Sequence, residues 1–272
     1  MWLVQTIVQM KLIYYSVVFL LLFSCLRPRS TVQKPHFDNF KDYSYLLFQG
    51  KIRGEKNSIS GVATGFFVKY HDTLYLVSAE HVLTGNDPFR VIRIDSLSPD
   101  FLTFYYNTSN NTVKGFENLY LDSIKKANPP RYIKNHPDLI TLPVNLPPEA
   151  EIISIENTIN PNAELNVGDS VFFWGFPEIR AVSDSDIIYR QDLDPIKYSG
   201  VAVGLNDSLY YASIPNTKQT VSGSPVFVKK IIRGRDRFYF IGILCAGSEL
   251  SGMAFFVRYN QLLRSINYVD KQ

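Results

Sequence analysis

Cysteine is scarce in this chain, with only Cys25 and Cys245 among 272 residues. Two cysteines so far apart give neither a disulfide framework nor the close ligand spacing of a thiolate metal site. Charge imbalance is missing as well. The formal net charge is only +3, and no basic stripe interleaves with aromatics, which argues against a nucleic-acid partner. Internal repeats and low-complexity tracts are absent, which argues against a solenoid. Helical periodicity is nearly absent too. What the chain does have is 46% hydrophobic residues, including 17 Tyr and 19 Phe, with many Val, Ile and Thr. That supply suits strands and is enough for one large core or two smaller ones.

The N-terminus reads as a targeting segment. After Lys11 the apolar or weakly polar run LIYYSVVFLLLFSCL extends from Leu12 to Leu26 and stops at Arg27. It falls short of the roughly 20 residues that span a bilayer but suits the core of a secretory signal. Met10-Lys11 is an alternative start. The end of the run, Leu22-Phe23-Ser24-Cys25, resembles a bacterial lipoprotein signal, although Phe23 is bulkier than that pattern usually shows. The resemblance implies cleavage before Cys25 and a lipid on its sulfur. The competing readings are a plain signal peptide or a short membrane anchor, and Arg27 and Arg29 beyond the run fit an anchor poorly. The expected location is therefore the periplasm or cell envelope, with membrane attachment if Cys25 is acylated. Residues 25–42 then read as a linker.

From there on, short apolar stretches alternate with turns. KDYSYLLFQGKI, SGVATGFFVKY and TLYLVSAEHVL come first, the last two separated by His71-Asp72. DFLTFYYNTSNNTV ends in an exposed Asn/Ser/Thr cluster, and DLITLPV precedes a break at Pro147-Pro148. GDSVFFWGFP, KYSGVAVG, SLYYASIP, SPVFVKK and RFYFIGILCAG form a second series. AFFVRYNQLLRSI reads as a strand entering one short helix with Leu262, Leu263 and Ile266 on its apolar side. The pattern predicts an all-β protein of two antiparallel barrels, residues 43–150 and 151–272, with a short C-terminal helix.

A serine hydroxyl is a poor nucleophile unless a base takes its proton and a third group fixes that base. The chain holds one candidate set. TVSGSPVFV places Ser222 before Gly223, which lets a substrate backbone approach, and Pro225 stiffens the turn. Ser224 is the weaker nucleophile candidate, and a plain structural bend is the competing reading. His81 follows the apolar strand LYLV, where an imidazole can face a cleft. His36, His71 and His136 compete poorly: the first lies near the N-terminal segment, the second in a turn and the third just before the candidate acid. Asp138 enters the apolar stretch DLITLPV, and a carboxylate there is costly unless paired. An imidazole N–H is a natural partner, although Asp138 also reads as a strand cap after Pro137.

Taken together, SAEHV, DLI and SGSPV resemble the trypsin-like serine peptidases. His81, Asp138 and Ser222 follow the chain order of that family, unlike the subtilisin or α/β-hydrolase orders. VGDSVFFWGFP resembles a marker segment of its bacterial members, with Phe176 for the usual Tyr. GILCAG looks like the strand on which the family pairs substrate backbone, which implies substrate contacts at Cys245, Ala246 and Gly247. The resemblance covers roughly residues 43–268, and it is closest to small single-domain enzymes of the glutamyl-endopeptidase kind. It implies a serine endopeptidase acting on peptides or proteins, with no cofactor and no metal, and an oxyanion hole made by the amides of Thr220 and Ser222. By spacing, Asn216 falls near the base of the specificity pocket. One departure stands out: Thr220 occupies a position that is usually Gly. Either Thr220 carries the strain of a positive φ, about 1–3 kcal/mol, or the loop turns differently. A trypsin-fold protein that only binds peptides is the alternative function.

Overall fold

Alternation along a single strand organises the molecule. In β2 (Lys56–Tyr70) both faces are buried from Ala63 to Val68, because neighbouring side chains point to opposite sides and each side meets a different layer. Phe67 packs with Leu47, Leu76 and Phe104 in one core. Phe66, its neighbour, turns the other way and meets Phe240 edge-on at 5.5 Å.

The computed structural model describes residues 37–53, 56–84, 86–87, 92–93, 99–107, 113–121, 138–144, 152–154, 164–176, 195–206 and 209–269. The stretch read as a targeting segment, Cys25, His36, His136 and the Pro147-Pro148 break lie outside the described residues. From Asn39 onward the chain forms one unit.

The N-terminal half forms an open sheet. Its members are β1 (Tyr45–Arg53), β2, β3 (Thr73–Ser78), β6 (Phe101–Asn107), β7 (Val113–Tyr120) and β8 (Ile140–Pro143), in spatial order β7-β6-β1-β2-β3-β8. Two short strands, β4 (Asn86–Asp87) and β5 (Ile92–Arg93), pair with each other apart from it. The His71-Asp72 turn joins β2 to β3, with Tyr70 opposite Thr73 and His71 at a φ of 51°. The seventh strand, β9 (Ile153–Ser154), pairs parallel to β2, so this sheet extends past residue 150.

The C-terminal half closes into a barrel in the order β10-β11-β12-β15-β14-β13. Its strands are β10 (Ser170–Gly175), β11 (Ile196–Leu205), β12 (Leu209–Ser213), β13 (Pro225–Ile232), β14 (Arg235–Ser248) and β15 (Met253–Arg258). Phe173, Tyr198, Ile241, Leu244 and Phe256 fill it. The protein is thus all-β, as expected, but only one of its two sheets closes. Closure needs the first and last strands to pair, and among the described residues β7 and β8 stay unpaired with each other.

Among the described residues, helix is confined to short pieces. A one-turn helix, α1, spans Glu80–Thr84. The second, α2, spans Tyr259–Val269 and buries Leu262 and Ile266, with Leu263 half-buried. Thr141 and Ser265 share a 2.9 Å hydrogen bond that ties α2 to β8. A 3₁₀ turn at Phe37–Tyr43 delivers Phe40, within the stretch that reads as a linker, into an aromatic cluster. Its ring lies 4.7 Å from Phe227 and 5.3 Å from Phe238, and it stacks on Trp174 at 5.7 Å.

Candidate active site

The first wall of the site comes from β3 and the turn after it. Ser78 ends β3, Ala79 is buried, and α1 then lifts the chain so that His81 is left about a quarter exposed (28% of its side chain). A helix this short leaves its first N–H groups without internal partners. Asp138 supplies one. Its Oδ1 accepts from the His81 backbone N at 2.9 Å, while Oδ2 lies 2.6 Å from His81 Nδ1. The Asp138 side chain is wholly buried, so both oxygens are engaged where an unpaired charge would be most costly. With Nδ1–H donated to the carboxylate, Nε2 is left as an acceptor.

Glu80, beside His81, is a group that sequence reasoning missed. Burial, with a smaller push from Asp138, raises its carboxyl to about 7, and attraction to His81 only partly opposes that rise. The available signal was an acid placed next to a histidine at the end of a buried strand.

The second wall is the turn between β12 and β13. Ser222 is buried, and its carbonyl accepts from the Thr64 amide of β2 at 3.1 Å. Gly223 has a φ of 91°, and any Cβ there would sit 2.0 Å from the Thr64 carbonyl oxygen and 2.4 Å from Ser78 Oγ. Only glycine fits so close an approach. Ser78 Oγ itself donates to the Thr64 carbonyl at 2.8 Å. The serine turn is therefore clasped to the strand end that leads into His81. On its far side the Gly223 amide donates to the Leu244 carbonyl at 2.7 Å, and the Leu244 amide donates to Ser224 at 2.9 Å. Ser224 Oγ donates to the Val221 carbonyl at 2.6 Å and is fully buried, so it acts as a brace of the turn.

Cys245 comes next along β14. Its thiol is buried, reaches the Phe255 carbonyl at 3.1 Å, and is pushed well up in pKa by burial and then by the charge of Asp138. It stays protonated and is a poor nucleophile. Ala246 and Gly247 pair with β15, whereas the β13 pairing stops at Ile243 opposite Pro225. Beyond Leu244, one edge of β14 has no strand partner among the described residues.

Thr220 settles the choice left open by the sequence. Among the described residues, positive φ outside glycine occurs only at His71, Asn216 and Arg233, so Thr220 is unstrained and the loop turns differently. Gln219–Val221 forms a 3₁₀ turn, and Thr220 Oγ1 donates to the Phe176 carbonyl at 3.0 Å. In such a turn the N–H of residue i+3 is directed at the carbonyl of residue i. For Gln219 that residue is Ser222. Asn216 stands exposed in the turn after Ile214, and Thr217, beside it, is buried with its hydroxyl donated to the Ile214 carbonyl at 2.9 Å.

Among the described residues, no group of three or more His, Cys, Asp or Glu is placed to hold a metal. No protein-family model matches the chain, and no curated protein resembles it at a significant level.

Proposed function

We propose that the protein is a serine endopeptidase of the trypsin-like kind, with Ser222 as nucleophile, His81 as general base and Asp138 as the group that orients the base. The observation that carries this reading is the two-point grip of buried Asp138 on His81, 2.9 Å to the backbone N and 2.6 Å to Nδ1. A buried carboxylate that fixes one ring nitrogen prepares the other to accept a proton. Ser222 loses its proton to His81 Nε2 as Oγ attacks a peptide carbonyl. His81 then returns that proton to the leaving amine, and water releases the acyl group by the same steps in reverse order. Cys245, Ala246 and Gly247 offer the open edge of β14 to the backbone of a peptide or protein substrate. The chemistry asks for no cofactor.

A second reading, a trypsin-fold protein that binds peptides without cleaving them, is favoured by one feature. In the 3₁₀ turn at Gln219–Val221 the Ser222 amide is directed at the Gln219 carbonyl, which competes with an oxyanion for that donor. We further propose export to the periplasm or cell envelope, with a lipid at Cys25. The intact mass of membrane-extracted protein tests the anchor. An acylated N-terminus at Cys25 is expected, and a soluble protein starting elsewhere removes the anchor without touching the peptidase reading.

Incubation of the folded chain with a diverse peptide mixture separates enzyme from binder. New termini that appear with wild type and vanish with Ser222→Ala support the peptidase. Peptides retained intact by both proteins support the binding module.

A further inference from the structure

The β13–β14 hairpin projects beyond the barrel and ends in the two-residue turn Arg233-Gly234, with φ of 52° and 72°. Two positive-φ residues in succession are the turn that suits twisted antiparallel strands. Ile232 stands opposite Arg235, and Lys230 opposite Arg237. Alternation therefore puts Lys230, Ile232, Arg235 and Arg237 on one face of the hairpin. Residues 229–237 hold five cations and one acid, a net +4, whereas the whole chain carries only +3. The rest of the molecule is thus close to neutral, and this hairpin holds the charge imbalance.

Two of the five cations are already matched. Lys229 pairs with Asp236 at 2.8 Å, and Lys230 pairs with Asp169 of the barrel rim. Arg233, Arg235 and Arg237 are exposed and, with Ile232, line one shallow depression. None of the three forms an ion pair among the described residues. Ile231 at the tip is 74% exposed and Ile232 is 43% exposed. Guanidinium groups suit phosphate oxygens. Bare isoleucines among them suit a surface that has an apolar layer beneath its phosphates.

We propose that this hairpin is a docking surface for a membrane leaflet rich in anionic phospholipid. The hairpin docks tip first, its arginines meeting the headgroup phosphates while Ile232 on their face and Ile231 on the opposite face, across from Asp236, enter the boundary with the acyl chains. The course of the chain points the same way. Phe40 packs on Phe238, the residue after Arg237, so the N-terminal segment enters the fold at the root of this hairpin. The apolar run ends at Leu26, 14 residues before Phe40, a reach of at most about 50 Å when fully extended. The proposed lipid site, Cys25, is one residue further back, so a membrane that holds that lipid lies within about the same reach of the hairpin root. The isoleucines favour a bilayer over a soluble polyanion, which gives exposed aliphatic side chains nothing to enter. The inference does not depend on the peptidase reading.

The test compares binding of the full chain to phosphatidylcholine vesicles with and without phosphatidylglycerol. Any N-terminal anchor contributes to both, so the ratio isolates the hairpin. Three arginines at a charged surface predict a preference for the anionic vesicles on the order of 100-fold, weakening as salt is added. The combined Arg233→Gln, Arg235→Gln, Arg237→Gln variant should lose most of that preference while keeping the wild-type melting curve. A polarity-sensitive dye on Ile231→Cys should shift to the blue on anionic vesicles only, and one on Leu250→Cys, near the far end of β14, should not. Equal binding to both vesicles overturns the proposal, as does a preference that survives the triple substitution. Tighter binding to heparin or duplex DNA than to anionic vesicles also overturns it, and assigns the surface to a soluble polyanion.

Discussion

The two sides of the candidate site are built to different standards. On the side of the open sheet, His81 is gripped twice by a wholly buried carboxylate, and the strand end before it is locked by Ser78. On the barrel side, Gly223 and Ser224 are equally well held, but the three residues before Ser222 wind into a 3₁₀ turn. Asp138 thus holds His81 at two points, whereas the 3₁₀ turn sets the Ser222 amide toward the Gln219 carbonyl. The difference follows from what each wall rests on. Asp138 would be an uncompensated buried charge without His81, so the fold enforces that contact. Amides of a loop can satisfy themselves locally with a carbonyl three residues back, and nothing in the core forbids it.

The largest expected effects fall on the proposed proton-transfer pair, Ser222 and His81. Ser222→Ala and His81→Ala should each remove peptidase activity by roughly a factor of 10⁶, and combining them should add little, because the residues act as a unit. Steady-state hydrolysis of an identified peptide checks this, and additive losses would contradict a shared mechanism. Asp138→Asn should reduce activity by about 10⁴-fold, since the amide would hold the imidazole in the wrong tautomer. A loss of only a few-fold would mean that the grip on His81 is structural.

Thr220→Gly acts on the weaker wall. If the 3₁₀ turn withholds an oxyanion donor, glycine should let the loop reopen and raise kcat by about 100-fold or more. An unchanged rate would mean that substrate reopens the turn unaided, and that the two walls are functionally equal.

Thr64 stands between the walls, and its neighbours in GVATGFFV give no hint of that role. Its side-chain oxygen accepts from the Phe176 amide at 3.2 Å, while its backbone holds Ser222 and Ser78. Thr64→Val should leave the buried Phe176 N–H unpaired and cost about 1–3 kcal/mol in denaturant unfolding. A variant as stable as wild type would show that the clasp rests on the backbone alone.

How much of this was legible in the sequence depends on the range of the interaction. The His71-Asp72 hairpin, the strand running into α2, and the glycine at position 223 are local and read directly from residue types. Thr220 advertised a departure, but its direction depends on Phe176, more than 40 positions away, which accepts the Thr220 hydroxyl. Sheet closure was not legible, because it depends on which distant edges pair. Nor was β7, whose sequence VKGFENLY alternates too weakly to stand out. Phe40 looked like linker because its partners, Trp174, Phe227 and Phe238, come from three later strands.

The smallest effect belongs to Glu80. Its folded-state value of about 7 lies above the ordinary 4.5, so the native state holds a proton that the unfolded chain releases. That contribution to stability is full below about 4.5 and is lost as pH rises through about 7. Glu80→Gln should remove this part of the pH dependence of Tm. It should also move the acid limb of the activity profile down by roughly a few tenths of a pH unit, since the ionised carboxylate favours the imidazolium. A profile and a Tm slope identical to wild type would show that Glu80 titrates as an ordinary surface acid.

The central claim is that Ser222 is activated by His81, and a fluorophosphonate probe tests it without knowledge of the natural substrate. The reagent forms a stable adduct only where a serine is activated and an oxyanion pocket can form. Mapping the adduct by peptide mass should place it on Ser222, in wild type or at least in Thr220→Gly, with Ser224→Ala still labelled and His81→Ala unlabelled. An adduct on any other serine, or none on folded wild type and folded Thr220→Gly alike, would contradict the account and leave only the fold.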